Sequence, residues 1–148
     1  MEKTSTSIQW TDDFLLGYGP MDETHQEFVN CIGALQDASP EDCPGLMDQL
    51  LEHATAHFKQ EDDWMVATDF PPRGCHMDEH AAVLASITGV RELAIQGAPE
   101  KCLHLANELA RWFPSHADHL DSALSHWMCK IKYGAKPLVF KRSVAHVN

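Results

Sequence analysis

Seven side chains able to bind a metal ion fall in four separate stretches of this chain: His25, His57 with Glu61, His76 with His80, and His116 with Asp121. The pairs His57/Glu61 and His76/His80 are spaced i, i+4, which on a helix stacks both side chains on one face, a turn apart. Five imidazoles and two carboxylates can hold two transition-metal ions and leave one coordination position open. That implies a buried dinuclear site between helices rather than a single zinc. Such a set assembles only in a fold that brings four distant segments side by side.

The apolar pattern supplies those segments. From Asp22, a candidate N-cap, the positions Phe28, Val29, Ile32 and Leu35 follow helical spacing, with His25 on the same stripe. Two prolines and a glycine mark residues 38–45 as a loop. A second helix is predicted over 46–66, with Leu46, Leu50, His57, Phe58, Glu61 and Met65 toward its apolar side, and Pro71 and Pro72 lie in the break after it. The third begins near Cys75 and carries His76, His80, Val83, Leu84, Ile87 and Val90 to about Gly97. Pro99 suits the first turn of a fourth, with Leu103, Leu105, Ala106, Leu109, Phe113, His116, Leu120, Leu124, Trp127 and Ile131, closed by Gly134 and Pro137. Leu138-Val139-Phe140 is the sole strand-like run, short and ambiguous. The expectation is an all-α, up-down-up-down four-helix bundle over 22–133, with an irregular N-terminal arm (1–21) and a short basic C-terminal tail (134–148).

Composition narrows the partners. The 148 residues carry a formal charge of −11, which argues against nucleic acid. No stretch reaches the roughly 20 apolar residues of a membrane span. The polar start has no signal-like apolar region, and five scattered cysteines without a C-x-x-C pair read as reduced thiols, so a cytoplasmic location is expected. Charge is unevenly spread: Lys130, Lys132, Lys136, Lys141 and Arg142 lie in the last 19 positions, and no acid follows Asp121. That tail reads either as a solvated segment against the acidic body or as a docking segment for a partner.

A carboxylate on a buried stripe, as at Glu61, is costly unless paired or metal-bound. One histidine on an apolar face is usually a satisfied core residue; seven candidate ligands spread over every helix are harder to explain so. His53, His104, His119, His126 and His146 compete for the same roles. On spacing alone His119 could replace His116, and Asp118 could replace Asp121. His116 and Asp121 themselves stand i, i+5, about 140° apart on an ideal α-helix.

The motifs resemble those of the hemerythrins, in particular the single-domain bacterial ones. Ile8-Gln9-Trp10-Thr11 and Met21-Asp22-Glu23-Thr24-His25-Gln26-Glu27 look like the family's arm and first ligand segment. His57-Phe58-Lys59-Gln60-Glu61 through Met65 is similar to its H-F-x-x-E-x-x-x-M stretch. Phe70-Pro71 followed by His76-Met77-Asp78-Glu79-His80, and Trp112-Phe113-Pro114-Ser115-His116 with Asp121, resemble the third and fourth segments, in order over roughly 8–132.

The resemblance selects His116 and Asp121 over their neighbours. It implies two iron ions cycling between Fe2+ and Fe3+ with an oxo or hydroxo bridge: one bound by His76, His80 and His116, the other by His25 and His57, with Glu61 and Asp121 shared. Dioxygen is then the implied ligand, taken up reversibly at the five-coordinate iron for storage, delivery to an oxygen-consuming enzyme, or sensing. A redox enzyme handling peroxide or nitric oxide, or an iron store, is the alternative. No Glu here has a His three residues later, the pattern of the ferritin-like oxidases, which favours binding over catalysis. Phe28, Phe58, Trp112, Phe113 and Ala117 are expected to wall the oxygen pocket. The chain departs from the family at three of its positions. Ala117 stands where a bulky aliphatic is common and should widen the pocket, Phe113 replaces a leucine and should compensate, and Pro114 should kink the helix just before His116.

Overall fold

The computed structural model describes residues 7–142. After a 3-10 turn at Asp12–Phe14 come α1 (Gly19–Gln36), α2 (Cys43–Ala67), α3 (Arg73–Ile95) and α4 (Glu100–His116). A π-helical turn, Ala117–Asp121, joins α4 to α5 (Ser122–Tyr133). No strand occurs among the described residues. The fourth bundle helix is therefore α4, the π turn and α5 in succession. Each long helix packs on its two neighbours in a ring: α1 on α2 and α4, α3 on α2 and α4. The links 37–42, 68–72 and 96–99 are short, the up-down-up-down arrangement.

Helix starts differ from the periodic reading because prolines act as starters. Pro20 and Pro44 sit in the first turns of α1 and α2, where the missing N–H costs nothing, so both helices begin about three residues early. Asp22 is inside α1 rather than its N-cap; its carboxylate accepts from the N–H groups of Leu16 (2.8 Å) and Gly17 (3.0 Å), tying the arm to the helix. Leu103 and Ile131, expected inward, are exposed. Leu138–Phe140 forms no strand.

In α1, α2 and the fourth bundle helix the apolar stripe is interrupted at one level, and α3 begins at that level. The larger core lies on one side of that level, with Phe28, Ile32, Met47, Leu50, Phe58, Ile87, Leu109 and Phe113 fully or nearly fully buried. A smaller one, Tyr18, Met21, Met65, Phe70, Leu124 and Met128, lies on the other. Each large side chain there contributes roughly 1.5–3 kcal/mol by leaving water. The polar layer between them can exist because these two lids hold the helices together on either side of it.

The arm and tail lie against this frame. A Cβ on Gly33 would stand 2.8 Å from the Ile8 carbonyl oxygen, so the arm passes where only glycine allows. Gly17 (φ +92°) faces Pro137, whose Cβ would meet a side chain there at 2.5 Å. Arg142 closes the tail onto the arm, its guanidinium gripping both oxygens of Asp12 (2.7 and 2.8 Å). It holds that carboxyl down at about 2. The five cysteines are free. Among the described residues no helix is long and apolar enough to cross a membrane. The end of the tail, with His146, lies outside the described residues.

Candidate metal centre

The interrupted level holds the candidate ligands. His25 lies between Met21 and Phe28 on α1, and Glu61 between Phe58 and Met65 on α2; His76 and His80 project from the first turns of α3. All seven of His25, His57, Glu61, His76, His80, His116 and Asp121 are buried, none more than 4% exposed. Asp118 and His119, the alternatives on the fourth helix, are exposed.

The π turn explains why His116 and Asp121 meet in spite of their spacing. Residues five apart, splayed on an α-helix, come onto one face when the turn widens to i, i+5 bonding. His116 Nε2 lies 3.3 Å from Asp121 Oδ1. Pro114 lies within α4, and the widening of the helix comes in the turn that follows it.

Two carboxylates divide the histidines into two groups. Glu61 Oε2 faces His57 Nε2 (2.9 Å) and His25 Nε2 (3.1 Å), while its Oε1 faces His80 Nε2 (3.2 Å) and His76 Nε2 (3.5 Å). Asp121 repeats the pattern, with Oδ2 at 3.2 Å from His25 Nε2 and Oδ1 at 2.8 Å from His76 Nε2. Each carboxylate offers one oxygen to the pair His25/His57 and the other to the trio His76/His80/His116. Glu61 Oε1, Asp121 Oδ1 and the Nε2 atoms of His76, His80 and His116 are buried without a hydrogen-bond partner. Buried polar atoms are seldom left so, and atoms that point at one another across a common centre suit metal ions.

Two acids that motif reading did not single out orient two of the trio. His80 Nδ1 donates to Asp62 (2.7 Å), and His116 Nδ1 donates to Glu79 (2.9 Å), which also accepts from Trp112 Nε1 (3.1 Å). Each bond leaves Nε2 free to face the centre and strengthens the imidazole as a donor. The Nδ1 atoms of His25, His57 and His76 have no such partner. The one clue in sequence is that each acid abuts a ligand candidate, Glu61 or His80.

Aromatic rings fill the remaining sides. Phe58 stacks on His80 (centroids 4.2 Å, planes 7° apart) and Trp112 on His116 (4.3 Å). Phe28 meets His57 edge-on at 5.4 Å and Phe113 meets His25 edge-on at 5.2 Å. Ala117 is buried at the start of the π turn. Of the five expected pocket residues, Phe28 and Phe113 therefore border the His25/His57 side. Phe58 lies between His57 (5.0 Å) and His80, and Trp112 stacks on His116.

Without metal the layer neutralises itself with protons. Burial disfavours a charged His25, but Asp121 and Glu61 outweigh it and lift its pKa to about 10; His76 rises to about 9 for the same reasons. Burial pushes the Glu61 carboxyl up, yet His57 and His25 hold it well below the usual range. Two imidazolium groups thus balance two carboxylates. Their raised pKa values stabilise the metal-free fold fully below about 6.5, and that contribution fades as pH rises through 9 to 10. Filling the site near neutral pH must displace about two protons. Calorimetric titration with Zn2+ in buffers of different ionisation enthalpy should show that release; equal heats in all buffers would refute it.

The chain matches the hemerythrin HHE cation binding domain over residues 16–127. It is 37% identical over 123 residues to the bacteriohemerythrin of Ralstonia nicotianae (strain ATCC BAA-1114 / GMI1000), covering 83% of this chain and 90% of that one. It is 24% identical over 120 residues to the bacteriohemerythrin of Stenotrophomonas maltophilia (strain R551-3), covering 78% of each. The chain belongs to the hemerythrin family.

Proposed function

We propose that His76, His80 and His116 hold one iron and His25 and His57 a second, with Glu61 and Asp121 shared between them, and that the protein binds dioxygen reversibly there. The observation that carries this reading is the division of each carboxylate, one oxygen toward each histidine group. Three histidines and two shared carboxylates would offer five donors to one iron, and two histidines with the same carboxylates four to the other, which would leave the second the more open. When bound, a ferrous pair of this kind supplies two electrons and one vacant coordination site, the requirement for taking up dioxygen and returning it.

The protein's own part is orientation and exclusion. Asp62 and Glu79 fix the His80 and His116 rings, so the saturated side is the more rigid. Phe28 and Phe113 border the histidines of the open side with carbon, which limits water and slows irreversible oxidation. The names of the two bacteriohemerythrins accord with this reading. Storage, delivery to an oxygen-consuming enzyme and sensing all use the same site.

The test is the visible spectrum of anaerobically iron-loaded protein before oxygen, after it, and after argon. A nearly colourless ferrous form should gain a charge-transfer band with oxygen and lose it under argon. Irreversible decay to the ferric form would favour redox turnover of peroxide or nitric oxide. No band with two irons bound would refute an open position.

A further inference from the structure

Every described arginine is matched to an acid: Arg73 to Asp69, Arg91 to Asp48, Arg111 to Glu108 and Arg142 to Asp12. Lys130, Lys132, Lys136 and Lys141 make no ion pair among the described residues, and they cluster at the end of α5 and in the tail. Apolar exposure gathers there too, with Ile131, Tyr133, Leu138 and Phe140 outward, Leu138 and Phe140 by 80% and 82%. Charged and apolar groups left open together mark an interaction surface more often than either alone.

That segment is also held in shape. Gly134 turns the chain off α5 in a left-handed cap, Pro137 rests against Gly17, and Arg142 is clasped by Asp12. Between those anchors 135–141 forms no regular element and makes no backbone-to-backbone hydrogen bond among the described residues. Beside it is a hollow of about 410 Å³, floored by Phe70, Ala123 and Trp127 and rimmed by His126, Lys130 and Lys136. His126, Lys130 and Tyr133 follow helical spacing, so rim and exposed ring share one stripe of α5.

We infer that this face docks an extended, acidic segment of a partner protein, with an apolar side chain of that segment seated in the hollow over Phe70 and Trp127. Charge decides between occupants. Residues 1–129 hold 6 basic and 22 acidic side chains, a net of −16, against five bases and no acid from 130 onward. A membrane or nucleic acid, presenting a wide anionic surface, would repel the body while attracting the tail. A short acidic segment meets only the lysines. Apart from Pro137, which has no N–H, the backbone of 135–141 is left free to hydrogen-bond such a segment.

The full chain, panned against a phage-displayed random peptide library, should enrich sequences with Asp and Glu around one large apolar residue. The corresponding synthetic peptide should lose about tenfold or more in affinity to the double variant Lys130→Glu/Lys136→Glu and weaken as salt rises. Lys101→Glu, an exposed lysine elsewhere, should leave it unchanged. The altered lysines are exposed, and circular dichroism of each variant checks that the fold is kept. The inference is overturned if nothing is enriched or if binding ignores the double variant. It is equally overturned if that variant abolishes binding to phosphatidylserine vesicles, or a concentration-dependent dimer, in place of the peptide. None of these readouts depends on bound metal.

Discussion

Glu61→Ala is expected to reduce metal uptake from two ions per chain to one at most. Glu61 gives Oε2 to His25 and His57 and Oε1 to His76 and His80, so its loss strips a ligand from both sides at once. A histidine deletion would weaken one side only. The metal-free protein suffers as well. His25 and His76 would share one remaining carboxylate, Asp121, so one imidazole gives up its proton and the stability that its raised pKa supplied is lost. Cobalt content after dialysis, together with urea unfolding of the metal-free form, measures the two effects. Two cobalt ions held at wild-type affinity would mean that the carboxylate is not shared.

Phe113→Ala should be strongly damaging although it replaces no candidate ligand. Phe113 is 1% exposed and packs on Phe14 (5.5 Å) and Phe28 (5.7 Å) as well as on the edge of His25. Removing the ring opens a cavity among neighbours that other contacts hold in place, for a loss of about 3–5 kcal/mol. The same cavity admits water beside His25, so an oxygen adduct should oxidise faster. Phe113→Leu keeps most of the volume and should cost less than about 1.5 kcal/mol. Denaturant midpoints separate the two variants. Equal midpoints for alanine and wild type would show that the ring is not part of the packed core.

Much of this was legible because the residues concerned are out of place in a core. Phe28, Val29, Ile32 and Leu35 announce a buried helix face, and a histidine or glutamate on such a face announces something to bind. Helix starts were harder. Whether Pro44 ends a loop or begins a helix depends on what the following turns pack against, which no local signal states. Asp62 and Glu79 escaped because an acid beside a ligand looks like any solvent-facing acid; only the folded distances to His80 and His116 set them apart. Leu103 and Ile131 were placed inward by extending apolar periodicity to the exposed ends of the fourth helix. For Ile131, that extension also assumed one unbroken α-helix.

The π turn breaks that assumption, and its reach extends beyond the site. One additional residue in a turn delays everything after it by roughly 100° of rotation. Counted as continuous α-helix from Cys102, Leu105, Leu109 and Phe113, the residues Ser125 and Met128 would point well away from the bundle axis. Both are buried. The fourth helix therefore behaves as two helices on one axis with a phase slip of a single residue at Ala117–Asp121. Through that slip one strip of chain can line the larger core, turn His116 and Asp121 together, and still close the smaller core beneath. Anyone transplanting this helix into another bundle must count its two halves separately.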